Sequence, residues 1–291
     1  MQIHSNAGTR RAIDIMQIIY LAGIPRCGSS WACRVLTKGT DSVLLDEPFH
    51  YIRIPERKQF HLQYLPAGAA SPNITRIIKH DIGKHRPWWK PWIRPERFVI
   101  KDVQAYLAIE RIHETLKAHV VCLMRNPCDA ATSWAKLNYN PNNAHEFYAQ
   151  PRLKDEFLAP FADHATKNDS FYFQFGALWG ASHFVMKKLC ARIPGAQFIR
   201  YETLCANPEQ EFDAMLKGMG LTLLPAGREF IAEHNREKLP NESEYSINRK
   251  ATDEIDKWKS ILTAEESRLV VEGARPFGLL EEHYPDLLTL A

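Results

Sequence analysis

Residues Ile18 to Trp31 read IIYLAGIPRCGSSW, and the remainder of the chain is organised around them. Ile18 to Ala22 is an unbroken apolar run, the pattern of a strand covered on both faces. Gly23 and Gly28 follow with four residues between them, then two hydroxyls, Ser29 and Ser30, and then the spacing Trp31, Val35, Leu36 of a short amphipathic helix. Strand, glycine-bounded turn and helix together make a phosphate-binding loop: glycines let backbone N–H groups converge on an anion, and the helix adds the positive end of its dipole. The lysine usual in such a loop is replaced by Ser29, and the loop's cation is Arg26, three residues earlier. A glycine-rich strand-to-helix turn without a ligand has the same pattern, so the assignment rests on what the other segments add.

The chain has 291 residues, 45% of them hydrophobic, enough for one large α/β domain with a substantial core. Residues 1–291 are expected to form a single domain, with variable stretches at about 51–97 and 138–170. Basic and acidic residues nearly balance, 37 against 34, so composition gives no case for a nucleic-acid partner, and any cationic site must be local. The six cysteines include no CxxC pair and lie at no zinc-binding spacing, which predicts free thiols in a reducing compartment and no metal site. Arg10, Arg11, Asp14 and Gln17 interrupt any leader-like apolar segment, and no run of about 20 apolar residues occurs. The expectation is a soluble, cytoplasmic protein without a transmembrane segment.

Apolar runs predict further strands at Ser42 to Leu45, Ile74 to Lys79, Phe98 to Lys101, His119 to Met124 and Gln197 to Tyr201. Helical periodicity predicts helices at Ala105 to Lys117, from Pro127 to about Leu137 behind an Asn126 cap, at Phe173 to Cys190 and at Pro208 to Met219. Helix is also expected around Thr252 to Trp258, and at Thr263 to Gly273 behind a capping box. Strands alternating with helices predict a central, mostly parallel sheet with helices on both faces, a single P-loop-type α/β domain.

Ligands of open parallel sheets bind beyond the carboxyl ends of the strands. Three polar segments fall there: Arg26 to Ser30, Asp46-Glu47-Pro48-Phe49-His50, and Arg125 to Ser133. No acidic strand end of the kind that holds magnesium is evident. Trp88, Trp89 and Trp92, interleaved with Arg86, Lys90 and Arg94, read either as an acceptor platform or as packing aromatics under a loop.

With Pro25 to Trp31, Glu47-Pro48, Arg125-Asn-Pro-Cys-Asp-Ala-Ala-Thr-Ser133, Tyr201-Glu-Thr-Leu204, and Arg249-Lys250 followed by Trp258-Lys259, the sequence resembles the P-loop sulfotransferases. These enzymes use 3′-phosphoadenosine 5′-phosphosulfate (PAPS) and release 3′-phosphoadenosine 5′-phosphate (PAP). The pieces occur in the family's order, and Glu-Pro resembles the bacterial and carbohydrate-type branches rather than the cytosolic branch with a histidine base. The resemblance implies that Arg26, Cys27, Gly28, Ser29, Ser30 and Trp31 hold the 5′-phosphosulfate. It implies that Arg125 and Ser133, with Arg249 and Lys250, bind the 3′-phosphate, and that Tyr201 lies near the adenine.

The implied reaction moves a sulfuryl group from PAPS to a hydroxyl or amine of a small-molecule or carbohydrate acceptor, without a metal. A sulfuryl group carries less charge than a γ-phosphoryl, which suits a loop with an arginine in place of the usual lysine and metal. Arg26 would stabilise the leaving diphosphate. Glu47 is the first choice for the base that takes the acceptor's proton, because a carboxylate partly desolvated in a cleft suits that task; His50 and His80 are the others. Two further readings remain open at this point, a P-loop nucleotide kinase and a non-catalytic nucleotide-binding relative.

Overall fold

Short apolar runs rich in branched residues become the strands β1 (Gln17–Ala22), β2 (Val43–Asp46), β3 (Arg97–Asp102), β4 (His119–Met124) and β5 (Gln197–Arg200). The computed structural model describes residues 17–51, 55–70, 73–84, 96–141, 144–164, 166–234 and 255–290. The strands form one sheet in the order β2-β3-β1-β4-β5, and every neighbouring pair is parallel. The register aligns their carboxyl ends: Ala22 pairs with Asp102 and Cys122, Asp46 with Lys101, and Met124 with Arg200. The segments leaving β1, β2, β3 and β4 therefore emerge at one edge of the sheet.

Alternation along each strand sends neighbouring side chains to opposite faces. Ile18, Tyr20 and Ala22 join one buried cluster, with Phe98, Ile100, Val120, Cys122 and Met124. Ile19 and Leu21 join a second cluster, with Val99, Val121 and Leu123. The first face is covered by α2 (Ile74–Lys84), α3 (Ile109–Leu116), α5 (Phe171–Cys190) and α9 (Ala264–Ala274). The second is covered by α1 (Ser29–Gly39), α6 (Tyr201–Ala206), α7 (Pro208–Lys217) and α8 (Pro225–His234). Between β4 and α5 runs α4 (Pro127–Lys136), which follows β4 at the carboxyl edge.

Three expectations need correction. The stretch Ile74 to Lys79 is not a strand but the first half of α2. Its isoleucines favour extended structure locally, but buried Ile74, Ile78 and Ile82 recur every four residues, which matches one face of a helix. Tyr201 starts α6 instead of ending β5. Around Trp258 the chain forms a short 3₁₀ turn, Lys257–Ser260, after Asp256 at φ 61°; residues 252–254 lie outside the described residues. The capping box is present: Thr263 Oγ1 accepts from Glu266 N at 3.2 Å, and Thr263 N donates to the Glu266 carboxylate at 2.7 Å, at the start of α9. The stretch expected to be variable, about 138–170, has short helical pieces at Ala144–Tyr148 and Pro151–Leu153. Phe147, Leu153 and Leu158 there are fully buried, so this stretch belongs to the core.

Helices α5 and α9 pack with their backbones in close approach, and glycine makes it possible. A Cβ on Gly176 would lie 2.2 Å from the Val270 carbonyl oxygen, and one on Gly273 would lie 2.2 Å from that of Phe173. Both obstacles are backbone, which cannot swing aside as a side chain can. Gly176→Ala is expected to lower the unfolding free energy by about 1–3 kcal/mol, read as a lower urea midpoint at unchanged m-value. An unaltered midpoint would mean that these helices separate freely.

Candidate active site

The order of the strands brings two loops side by side. β1 and β4 are neighbours, and the chain crosses from one side of β1 to the other between β3 and β4, so the loops after β1 and β4 flank the switch point of the sheet. Arg26 comes from the first loop and has a left-handed backbone, φ 72°. Its Nε donates to Ser133 Oγ, on α4, at 2.8 Å. Arg125 leaves the end of β4, and its Nη1 donates to the Arg26 carbonyl at 3.3 Å. Trp134 Nε1, also on α4, donates to the Pro25 carbonyl at 2.8 Å. Asn126 caps α4 by accepting from Cys128 N at 2.9 Å, and Pro127 occupies its first position.

Gly28 ends the glycine loop at φ 90°, and a Cβ there would lie 2.2 Å from the Tyr201 ring. Any side chain would therefore be both strained and obstructed. Tyr201 fills the space beneath: its ring stands edge-on to Trp31 at 6.1 Å, and the Arg125 guanidinium lies 5.1 Å above it, a cation–π distance. Ser29 is buried and Ser30 exposed at the start of α1. Cys27 is fully buried, and burial raises its thiol pKa even though the charges of Lys101 and Arg125 pull the other way. The thiol thus belongs to the packing under the loop rather than to its chemistry.

Glu47, too, has a left-handed backbone, φ 51°, directly after β2. Its N–H donates to the Lys101 carbonyl at 2.8 Å, and its carbonyl accepts from His50 N at 3.1 Å. One carboxylate oxygen receives Lys101 Nζ at 2.6 Å; the other is 3.6 Å from His50 Nε2. Lys101 also reaches Asp46 at 3.1 Å. Burial works against the Lys101 charge, but Glu47 and Asp46 outweigh it and its pKa is raised. Beyond this group, the rings of His50 and Tyr51 stack at 6.1 Å, and that of Tyr51 meets that of His61 at 4.5 Å.

His80 sits apart on α2, with its side chain 59% exposed and its ring paired with Asp81 at 3.1 Å. Asp81 holds Arg57 at 3.4 Å, and Arg57 donates to the Pro48 carbonyl. His80 is thus linked to the Glu47 loop only through two intervening side chains in this chain of contacts. Arg249, Lys250 and the tryptophans 88, 89 and 92 lie outside the described residues.

Sequence reasoning missed Lys101, Arg57 and Asp102. Lys101 ends the apolar run of β3 with a cation on the same face as Val99, where α1 packs; the signal was a lysine at a strand end, which alternation assigns to a face once the strand's bounds are known. Asp102 is an acidic strand end that the sequence reading did not single out, for it closes β3 next to β1. Its carboxylate is fully buried and accepts from Gln104 N and Ala105 N at 2.7 Å each and from Phe49 N at 3.1 Å. It organises the loops after β2 and β3 from beneath. Burial pushes its pKa up to about 6, against the pull of those three N–H groups and with help from the nearby Glu47 charge.

A carboxyl whose folded pKa is raised stabilises the fold while protonated, below its unfolded value of about 3.9, and loses that contribution as the pH rises through about 6. The stability advantage of the native protein over Asp102→Asn should therefore shrink between pH 4 and pH 7 in paired urea titrations. A gap that widens with pH would show that Asp102 is instead ionised by preference.

No family model matches this chain, and no curated protein sequence does. Among solved structures it is similar to the mouse sulfotransferase SULT7A1 complexed with PAP, at 15% identity over 92% of this chain and 89% of that one, with a TM-score of 0.46. It is similar to the sulfotransferase domain from the curacin biosynthetic pathway, at 17% identity over 88% and 97%, with a TM-score of 0.49. It is also similar to a retinol dehydratase in complex with androsterone and inactive cofactor PAP, at 15% identity over 92% and 83%, with a TM-score of 0.45.

Proposed function

We propose that this chain is a PAPS-dependent sulfotransferase that acts on a hydroxyl or amine of a small-molecule or carbohydrate acceptor. The observation that carries the reading is the meeting of Arg26 and Ser133 at 2.8 Å. It joins the glycine loop to the second half of α4, which supports two anion-binding places side by side at the switch point of the sheet. A nucleotide with a 5′-phosphosulfate and a separate 3′-phosphate needs two such places, and Arg125 stands at the second.

In the proposed reaction the acceptor oxygen attacks sulfur in line with the bond to the 5′-phosphate. The acceptor's O–H bond breaks and an O–S bond forms; the S–O bond to the phosphate breaks, and its electron pair leaves with PAP. Arg26 and the backbone N–H groups of the glycine loop bear the charge that develops on the leaving phosphate. Glu47 accepts the acceptor's proton, with His50 beside it to take that role or to relay the proton. Lys101 holds Glu47 at 2.6 Å, and in this reading its ammonium balances negative charge on the transferring group. The half-buried faces of Tyr51 and His61 offer a stacking surface for a ring-bearing acceptor.

Thermal-shift titration tests the assignment directly. PAP is expected to raise the melting temperature without added metal. Stabilisation by magnesium-ATP and none by PAP would overturn the reading in favour of a kinase. The two arginines should separate in kinetics: Arg125→Ala removes a charge-assisted contact of about 2 kcal/mol, roughly 30-fold in PAP affinity, and Arg26→Ala falls mainly on turnover. Equal losses in both quantities for both variants would contradict these roles. Glu47→Gln should abolish most turnover while leaving PAP binding intact, which separates the enzyme from a relative that only binds nucleotide.

A further inference from the structure

The peptide bond between Arg125 and Asn126 is held at both of its polar ends by buried side chains from distant elements. Its carbonyl accepts from Trp179 Nε1, on α5, at 2.8 Å. Its N–H donates to Glu202 Oε1, on α6, at 2.7 Å. The second carboxylate oxygen of Glu202 accepts from the Tyr284 hydroxyl at 2.9 Å, and Arg200 Nε lies 3.7 Å from that same oxygen. Trp179, Glu202 and Tyr284 are all buried. Tyr201, the residue before Glu202, lies under the Arg125 guanidinium at 5.1 Å.

A buried carboxylate is costly unless donors surround it. Here one oxygen serves a single peptide N–H, which could otherwise have been satisfied by a neutral acceptor. A carboxylate adds strength and direction to that bond, and Tyr284 fixes its orientation from the other side. The rotation of the peptide about the Arg125 Cα is thereby set, and with it the direction in which the side chain leaves β4. Two successive residues of α6 thus grip Arg125, one at its peptide and one at its guanidinium.

We infer that Glu202, seated by Tyr284, is a positioning residue for Arg125 and through it for recognition of the nucleotide's second phosphate. This rests on the sulfotransferase reading. It goes beyond that reading in giving the buried glutamate after Tyr201, and the aromatic near the end of the chain, a part in discriminating the two-phosphate nucleotide from 5′-AMP.

Calorimetric binding of PAP and of 5′-AMP to the full chain tests it. Glu202→Ala should lower the preference for PAP over 5′-AMP by about tenfold and leave 5′-AMP affinity unchanged. In an Arg125→Ala background the same substitution should have no further effect on PAP binding, because the contact it supports is already gone. Glu202→Gln should stay within about threefold of the native preference, since its amide oxygen can still accept from Asn126 N and the Tyr284 hydroxyl can accept from its NH₂. Equal losses for PAP and 5′-AMP, or additive losses with Arg125→Ala, would overturn the inference by marking Glu202 as merely structural. Should Glu202→Ala not fold, Tyr284→Phe decides: a reduced preference supports the proposal, and an unchanged one overturns it. A native protein with no preference for PAP would sink the sulfotransferase reading itself, and the inference with it; a native preference that survives every variant would sink the inference alone.

Discussion

A parallel sheet directs all of its carboxyl ends to one edge, and the remaining features of the candidate site depend on that constraint. Ala22, Asp46, Asp102 and Met124 end their strands within three register positions of one another, so residues far apart in sequence leave the sheet at one edge. Hydrogen bonding between strands thus does the first part of site assembly before any functional side chain is chosen. The second part comes from the crossing between β3 and β4, which leaves the loop after β1 open beside that after β4. Arg26, from the loop after β1, meets Ser133 of α4 there.

Charge is distributed around this edge by alternation. Lys101 and Asp102 are consecutive, yet they serve opposite faces of the sheet. Lys101 faces the side of α1 and reaches Glu47 and Asp46; Asp102 turns under the sheet edge and spends its oxygens on backbone N–H groups. A one-residue slip of β3 would exchange them, putting a carboxylate beside the glycine loop and an ammonium in the core. The apolar partners Phe98, Val99 and Ile100, all fully buried, make that slip expensive, so the packing of an ordinary strand also sets the sign of the charge at the site.

Features carried by local pattern were legible in the sequence: the glycine loop, the apolar runs of β1 and β4, the Asn126-Pro127 helix start and the capping box at Thr263. So was the placement of three polar segments at strand ends, since alternating strands and helices imply a parallel sheet. The isoleucines of α2 were misread because β propensity and helical periodicity conflict there, and packing at every fourth residue decided. Lys101, Arg57 and Glu202 were not legible for a different reason. Each acts across the fold, on Glu47, on the Pro48 carbonyl and on the Arg125–Asn126 peptide, and no spacing in the chain encodes which buried partner a lone charged residue will find.

Arg26 and Glu47 share the left-handed backbone that glycine adopts at no cost. Their side chains are the two from which the proposed chemistry asks most. Glycine at either position would relieve the backbone but remove the Arg26–Ser133 or the Glu47–Lys101 contact, so backbone strain and side-chain interaction pull these positions in opposite directions. A redesign that ranked these positions by backbone strain alone would favour erasing both residues, and with them the contacts that tie the loops after β1 and β2 to Ser133 and Lys101.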